Sequence, residues 1–279
     1  LTARAAFLVF FSAFLHALWN ALVKRDANPR GAGLAVLAVA TAVAGAVAPF
    51  SPQVAFPTFV SLRWGLAAGL FEGAYFTALG LALARGSLGP VYTVARGGAM
   101  LVTWPISVML LGEPLSWPSW LGAITIAAGL GLATVQPRES SAPAGLGWAA
   151  VSAAAIGGYH LCYKVALTAG AEPRALFAVA LACALPINLA STGRRTWRGA
   201  LLALRDHPLR ILAGGATCTA SFILFLQALG VTGAGAVLTL RNTSVLFAQL
   251  FALLAGERPS RRALGGAMLV VGGSVLLVH

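Results

Sequence analysis

A chain of 279 residues that is 59% hydrophobic and 9% charged, with a mean hydropathy of +0.85, lies far from the roughly one-quarter charged composition of soluble domains. With about 20 apolar residues needed per crossing, the length allows roughly a dozen membrane spans and leaves no room for a soluble domain. The net charge of +12 does not point to nucleic acid, because the basic residues fall in short bursts between apolar runs rather than along one polar face.

In chain order, apolar runs bounded by proline, glycine or charge fall at 4–23, 31–50, 60–84, 88–111 and 117–136, then at 146–168, 174–192, 208–229, 233–255 and 261–278. This succession, with almost no amphipathic segment between the runs, predicts an all-α integral membrane protein of ten transmembrane helices. The first run begins like a signal peptide, but His16, Trp19 and Asn20 inside it and Lys24-Arg25 after it mark a retained helix. Cys162, Cys183 and Cys218 lie inside apolar runs without CxxC spacing or neighbouring histidine clusters. Neither a disulfide framework nor a metal site is implied, and no cofactor is expected.

The two halves repeat. His16-Ala-Leu-Trp19-Asn20 with Pro29-Arg30 matches His160-Leu-Cys-Tyr163-Lys164 with Pro173-Arg174 at an offset of 144. The same offset of 144 aligns Gly112-Glu113, Gly122 and Gly129 with Gly256-Glu257, Gly266 and Gly273. Between them, the segment from Gly89 to Arg96 resembles that from Gly235 to Arg241 after a short deletion. The expected organisation is two five-helix repeats, 1–140 and 141–279, forming one membrane domain. An odd number of spans per half forces the halves into opposite orientations, the inverted repeat of many secondary transporters.

Lys and Arg set the orientation. The connections after the odd-numbered runs hold Lys24, Arg25, Arg30, Arg85, Arg138, Arg194, Arg195, Arg198, Arg205, Arg258, Arg261 and Arg262, whereas the others hold little beyond Arg4, Arg63 and Arg174. The first set is expected in the cytoplasm, with both termini in the periplasm of a bacterial inner membrane.

The ten runs, the repeat and the motif HALWNALVKR at 16–25 resemble the drug/metabolite transporter superfamily, specifically its EamA-type branch. Tyr75-Phe-Thr-Ala-Leu, the run Val91-Tyr92-Thr-Val-Ala-Arg96-Gly97, and Leu111-Gly112-Glu113 followed by spaced glycines carry the same resemblance, which covers nearly the whole chain. It implies a membrane transporter and, through the amino-acid exporters of that branch, an outward direction. Leu238 and Leu240 depart from the tyrosine-containing run, so the two halves are not expected to contribute equally to a site.

Ionisable groups at membrane depth are functional candidates by default. Glu72 is the one acid of seven well inside a run. It is either a partner for a substrate ammonium, a proton-coupling group, or half of an internal pair with a basic residue of a neighbouring helix. Arg96 lies about 12 Å into its run at 1.5 Å per residue, beyond comfortable snorkelling, and Arg241 stands at the equivalent depth with Asn242 beside it. Each guanidinium either binds a substrate carboxylate or phosphate in bidentate fashion or closes the bundle on helix-end carbonyls or Glu72.

His16, Trp19 and Asn20, like His160, Tyr163 and Lys164, stand at i, i+3 and i+4 and form one stripe per helix. Inverted symmetry would set the stripes face to face, while Lys164, near its run's end, also reads as a snorkelling lysine. Tyr75, Tyr92 and Trp104 offer ring faces to a ligand. Trp117, Trp120, Trp148 and Trp197 read as interfacial anchors, Pro105 and Pro186 as kinks, and Ala123, Ala127 and Gly131 as a helix-packing row.

The expected function is a secondary transporter exporting small polar metabolites, amino acids first, by alternating access. Its partners would be that small-molecule substrate and membrane lipid, with no nucleic acid, and the chain would be a monomer or a weak homo-oligomer. The alternative is proton-coupled efflux of lipophilic cations. An intramembrane enzyme is disfavoured by the absence of HExxH and GxSxG motifs, and direct ATP drive by the absence of a Walker loop.

Overall fold

The computed structural model describes residues 2–51, 53–111, 116–134, 143–231 and 234–277, and every extended element in them is a helix. In the first half these are α1 (Ala3–Lys24), α2 (Pro29–Val47), α3 (Phe59–Arg85), α4 (Leu88–Leu111) and α5 (Trp117–Thr134), with a 3-10 turn at Ala48–Phe50 after α2. In the second half they are α6 (Pro143–Thr168), α7 (Pro173–Ser191), α8 (Arg194–Asp206), α9 (Pro208–Val231), α10 (Ala234–Arg241), α11 (Ser244–Leu254) and α12 (Arg261–Leu276). Six stretches, Ala3–Lys24, Pro29–Phe50, Phe59–Arg85, Pro173–Ser191, Pro208–Val231 and Ala236–Leu254, are long and apolar enough to cross a membrane. Glu113 and its neighbours Gly112, Pro114 and Leu115 lie outside the described residues.

Polar caps start the helices where the sequence places them. Asn28 accepts from the Gly31 N–H at 3.1 Å ahead of Pro29, and Glu172 accepts from the Ala175 N–H at 2.8 Å ahead of Pro173. A side-chain acceptor followed by proline satisfies the orphan donors of a first turn and pre-sets its φ. Glu257 caps across the fold instead: both carboxylate oxygens accept the Leu88 N–H at 3.1 Å, so the glutamate motif of the second half anchors the start of α4.

The packing is reciprocal between the halves. α1 lies on α9 and α6 on α3; α2 lies on α9 and α7 on α3; α1 meets α11 and α6 meets α4. α5 packs on α12 through glycines. A Cβ on Gly129 would stand 2.7 Å from the Gly266 carbonyl oxygen, and one on Gly273 would stand 2.8 Å from that of Gly122. Under the offset of 144 this contact exchanges with itself. Small residues let apolar helices bring their backbones together where hydrophobic burial offers no drive.

Three local expectations are corrected. The face of α5 that packs is Gly122, Ile126, Gly129 and Ala133, whereas Ala127 and Gly131 are exposed. Nothing lies within 4 Å of a Cβ built on Gly131, so the row Ala123, Ala127 and Gly131 is not the packing row. The run at 233–255 is interrupted at Asn242–Thr243 and forms the two helices α10 and α11. The basic connection after α7 is itself helical, α8, and its Thr196, Gly199 and Ala203 are buried. Pro105 and Pro186 sit inside continuous helices α4 and α7.

Candidate functional site

Six helices deliver polar side chains to one buried centre. α1 brings His16 and Trp19, α3 brings Glu72 and Tyr75, α4 brings Tyr92 and Arg96, α6 brings Tyr159, His160 and Tyr163, α9 brings Ser221, Phe222 and Phe225, and α10 ends at Arg241. Each has at most 4% of its surface exposed, and all but the two phenylalanines are polar or amphipathic groups. Groups of this kind are costly at such depth unless they serve one another or a ligand.

Glu72 has a specific partner. The Tyr163 hydroxyl donates to Glu72 Oε1 at 3.0 Å, while Oε2 has no partner among the described residues. Among the described residues no ion pair reaches this carboxylate; pairs form instead at Arg174–Glu172, Arg205–Asp206 and Arg210–Asp26. The internal pair with Arg96 that the sequence left open is therefore not formed.

Arg241 lies over aromatic rings. Its guanidinium carbon stands 3.7 Å from the centroid of Phe225 and 4.7 Å from that of Phe222. This cation–π placement gives a planar cation a seat without consuming its N–H groups. Nη2 donates to His16 Nδ1 at 3.3 Å, whereas Nε and Nη1 are buried without partners among the described residues, as are Nε and Nη1 of Arg96.

His16 faces donors on one side. Trp19 Nε1 donates to its Nδ1 at 3.3 Å, Arg241 approaches the same atom, and the Ser221 hydroxyl lies 3.3 Å away. An indole and a guanidinium can only donate, so Nδ1 carries the lone pair and the ring proton sits on Nε2, towards the Tyr75 hydroxyl at 3.4 Å.

Tyr159 joins the two stripes. Its ring meets those of Tyr75 at 5.6 Å, Tyr163 at 5.5 Å, His160 at 4.7 Å and Phe222 at 5.9 Å, and its hydroxyl is buried without a partner. His160 also meets Phe225 at 5.3 Å, and His16 meets Phe222 at 5.2 Å. The stripes of α1 and α6 thus converge on shared residues of α3 and α9. The sequence pointed to neither Tyr159 nor the α9 residues. Tyr159 directly precedes His160, and Phe222 and Phe225 follow Ser221 at helical spacing, but aromatics inside an apolar run read first as core.

Four expected residues stand apart. Trp104 is half-buried and packs edge-on against exposed Trp120, with centroids 5.2 Å apart. Lys164 Nζ donates to the Leu229 carbonyl at 3.4 Å, near the C-terminal end of α9. Asn242 donates to Ser274 Oγ at 2.8 Å and ties the α10–α11 break to α12. Asn20 bonds back to the His16 carbonyl at 2.8 Å, although its Oδ1 remains buried without a partner.

A helical bundle with membrane-length apolar helices and a buried charged centre defines a multi-pass membrane protein. Residues 143–279, the second half of the chain, match the EamA-like transporter family, membrane transporters of the drug/metabolite type. A solved structure described as "Crystal structure of protein" is similar at a TM-score of 0.63, with 20% identity over 97% of this chain and 95% of the other. That likeness shows the fold alone. No curated protein matches the chain.

Proposed function

We propose that the chain is a secondary transporter that carries small polar metabolites, amino acids first, outward across a bacterial inner membrane. The observation that carries this reading is the set of buried, partnerless polar atoms on Glu72, Arg96 and Arg241 around one centre. An amino acid presents an ammonium for Glu72 and a carboxylate for a guanidinium, and Arg241 keeps Nε and Nη1 buried without a partner among the described residues. The reciprocal helix packing and the self-exchanging contact of Gly122 and Gly129 with Gly273 and Gly266 support ten crossings in two inverted halves, 1–140 and 141–279. The break of α10–α11 beside Arg241 fits the discontinuous helices found at transporter sites. Transport would then follow from rocking of one half against the other.

The aromatic shell of Tyr75, Tyr159 and Tyr163 near Glu72 favours a second reading, efflux of lipophilic cations in exchange for protons. Purified protein in liposomes, given labelled amino acids, sugars, nucleotides and cationic dyes with and without a pH gradient, separates the two. Accumulation of an amino acid supports the first, dye transport that collapses with the gradient supports the second, and no transport of any of them defeats both.

A further inference from the structure

α8 carries three different faces. Thr196, Gly199 and Ala203 are buried, and a Cβ on Gly31 would stand 2.7 Å from the Gly199 carbonyl carbon, so α8 presses on the first turn of α2. Trp197, Leu201 and Leu204 recur at i, i+4 and i+7 and are 47%, 69% and 39% exposed. Arg194, Arg198 and Arg205 recur along a third, exposed side. α8 joins the end of α7 at Ser191 to the start of α9 at Pro208, and both neighbours are of membrane-crossing length. It therefore lies where spans leave the hydrocarbon, the level of lipid headgroups.

Between α8 and the α1–α2 corner opens a cavity of about 680 Å³, lined among others by Asn28, Arg194, Arg195, Arg198 and His207. Its two carboxylates are already engaged, Asp26 by Arg210 and Asp206 by Arg205. Arg194, Arg195 and Arg198 have no hydrogen-bond or ion-pair partner among the described residues. Three free guanidinium groups at a cavity call for a phosphate-like anion. The exposed apolar flank on the same helix calls for one that brings acyl chains with it.

We propose that this cavity holds the headgroup phosphate of an anionic phospholipid, with its chains along Trp197, Leu201 and Leu204. The lipid clamps α8 to the α1–α2 corner. The site is separate from the buried centre and does not depend on which substrate is carried.

The test uses the full-length protein in mild detergent with equal amounts of phosphatidylglycerol and phosphatidylcholine, the retained lipid being read by native mass spectrometry. Wild type should retain phosphatidylglycerol preferentially. The combined Arg194→Gln, Arg195→Gln and Arg198→Gln variant should lose that preference by about fivefold per arginine removed. The combined Arg258→Gln, Arg261→Gln and Arg262→Gln variant, which removes the same charge from the exposed α11–α12 connection and first turn of α12, should keep it. Arg→Lys changes at the three α8 positions should keep most of it and serve if the glutamine variant does not fold. No preference in wild type, equal loss in both glutamine variants, or release of the lipid by inorganic phosphate alone would overturn the proposal.

Discussion

Tyr163 on α6 holds Glu72 on α3 through a 3.0 Å hydrogen bond, and this contact, rather than an ion pair with Arg96, secures the carboxylate at the centre of the bundle. Removing the hydroxyl in Tyr163→Phe leaves Oε1 without a donor, at a cost of about 1–3 kcal/mol. The expected outcome is a lower melting temperature in detergent. Glu72→Gln retains an acceptor for Tyr163 and should melt near wild type while losing transport. Normal transport by Glu72→Gln in liposomes would remove this residue from the proposed site.

The missing ion pair also sets the result of a double-mutant cycle. Glu72→Gln and Arg96→Gln should combine additively, with a coupling below about 0.5 kcal/mol in melting experiments. Recovery of folded yield in the double mutant beyond either single mutant would show a bond that the structure lacks.

Arg241 should depend on its aromatic seat. Phe225→Ala removes the ring 3.7 Å from the guanidinium carbon, a contact worth about 2 kcal/mol when desolvated, or roughly thirtyfold in affinity. Arg241→Lys keeps the charge but loses the planar fork. Both variants should weaken substrate binding, read as a raised KM for uptake into liposomes, and an unchanged KM in both would argue against Arg241 as a ligand.

His16 makes a spectroscopic prediction. Trp19 and Arg241 donate to Nδ1, so the neutral ring should carry its proton on Nε2. Nitrogen chemical shifts of labelled histidine should report that tautomer, and His16→Phe, which removes the ring, should delete the signal that is assigned to it. A proton found on Nδ1 would mean that Arg241 is held by something else.

The α5–α12 crossing separates two kinds of glycine. Gly129→Val forces a side chain towards the Gly266 carbonyl and should cost about 1–3 kcal/mol, read as a lower melting temperature. Gly131→Ala meets nothing within 4 Å and should be neutral, or gain up to about 1 kcal/mol from helix propensity. Equal destabilisation by both would contradict this packing.

The sequence by itself determined the class of protein, because composition and apolar run length are local properties that a bilayer reads directly. Matched residues at an offset of 144 likewise need no coordinates to be seen, and Glu72, Arg96 and Arg241 stood out because charge inside an apolar run is conspicuous. Only the tertiary structure decided what those charges meet. Whether Glu72 faces Arg96 or Tyr163 depends on the rotation and crossing of α3 and α6, which are set by packing over the whole bundle. For the same reason Tyr159 and Phe225 emerged as neighbours of the charged groups only in three dimensions, and Trp104 moved out to Trp120. In a helix apolar on nearly every side, no polar face records which side points inward.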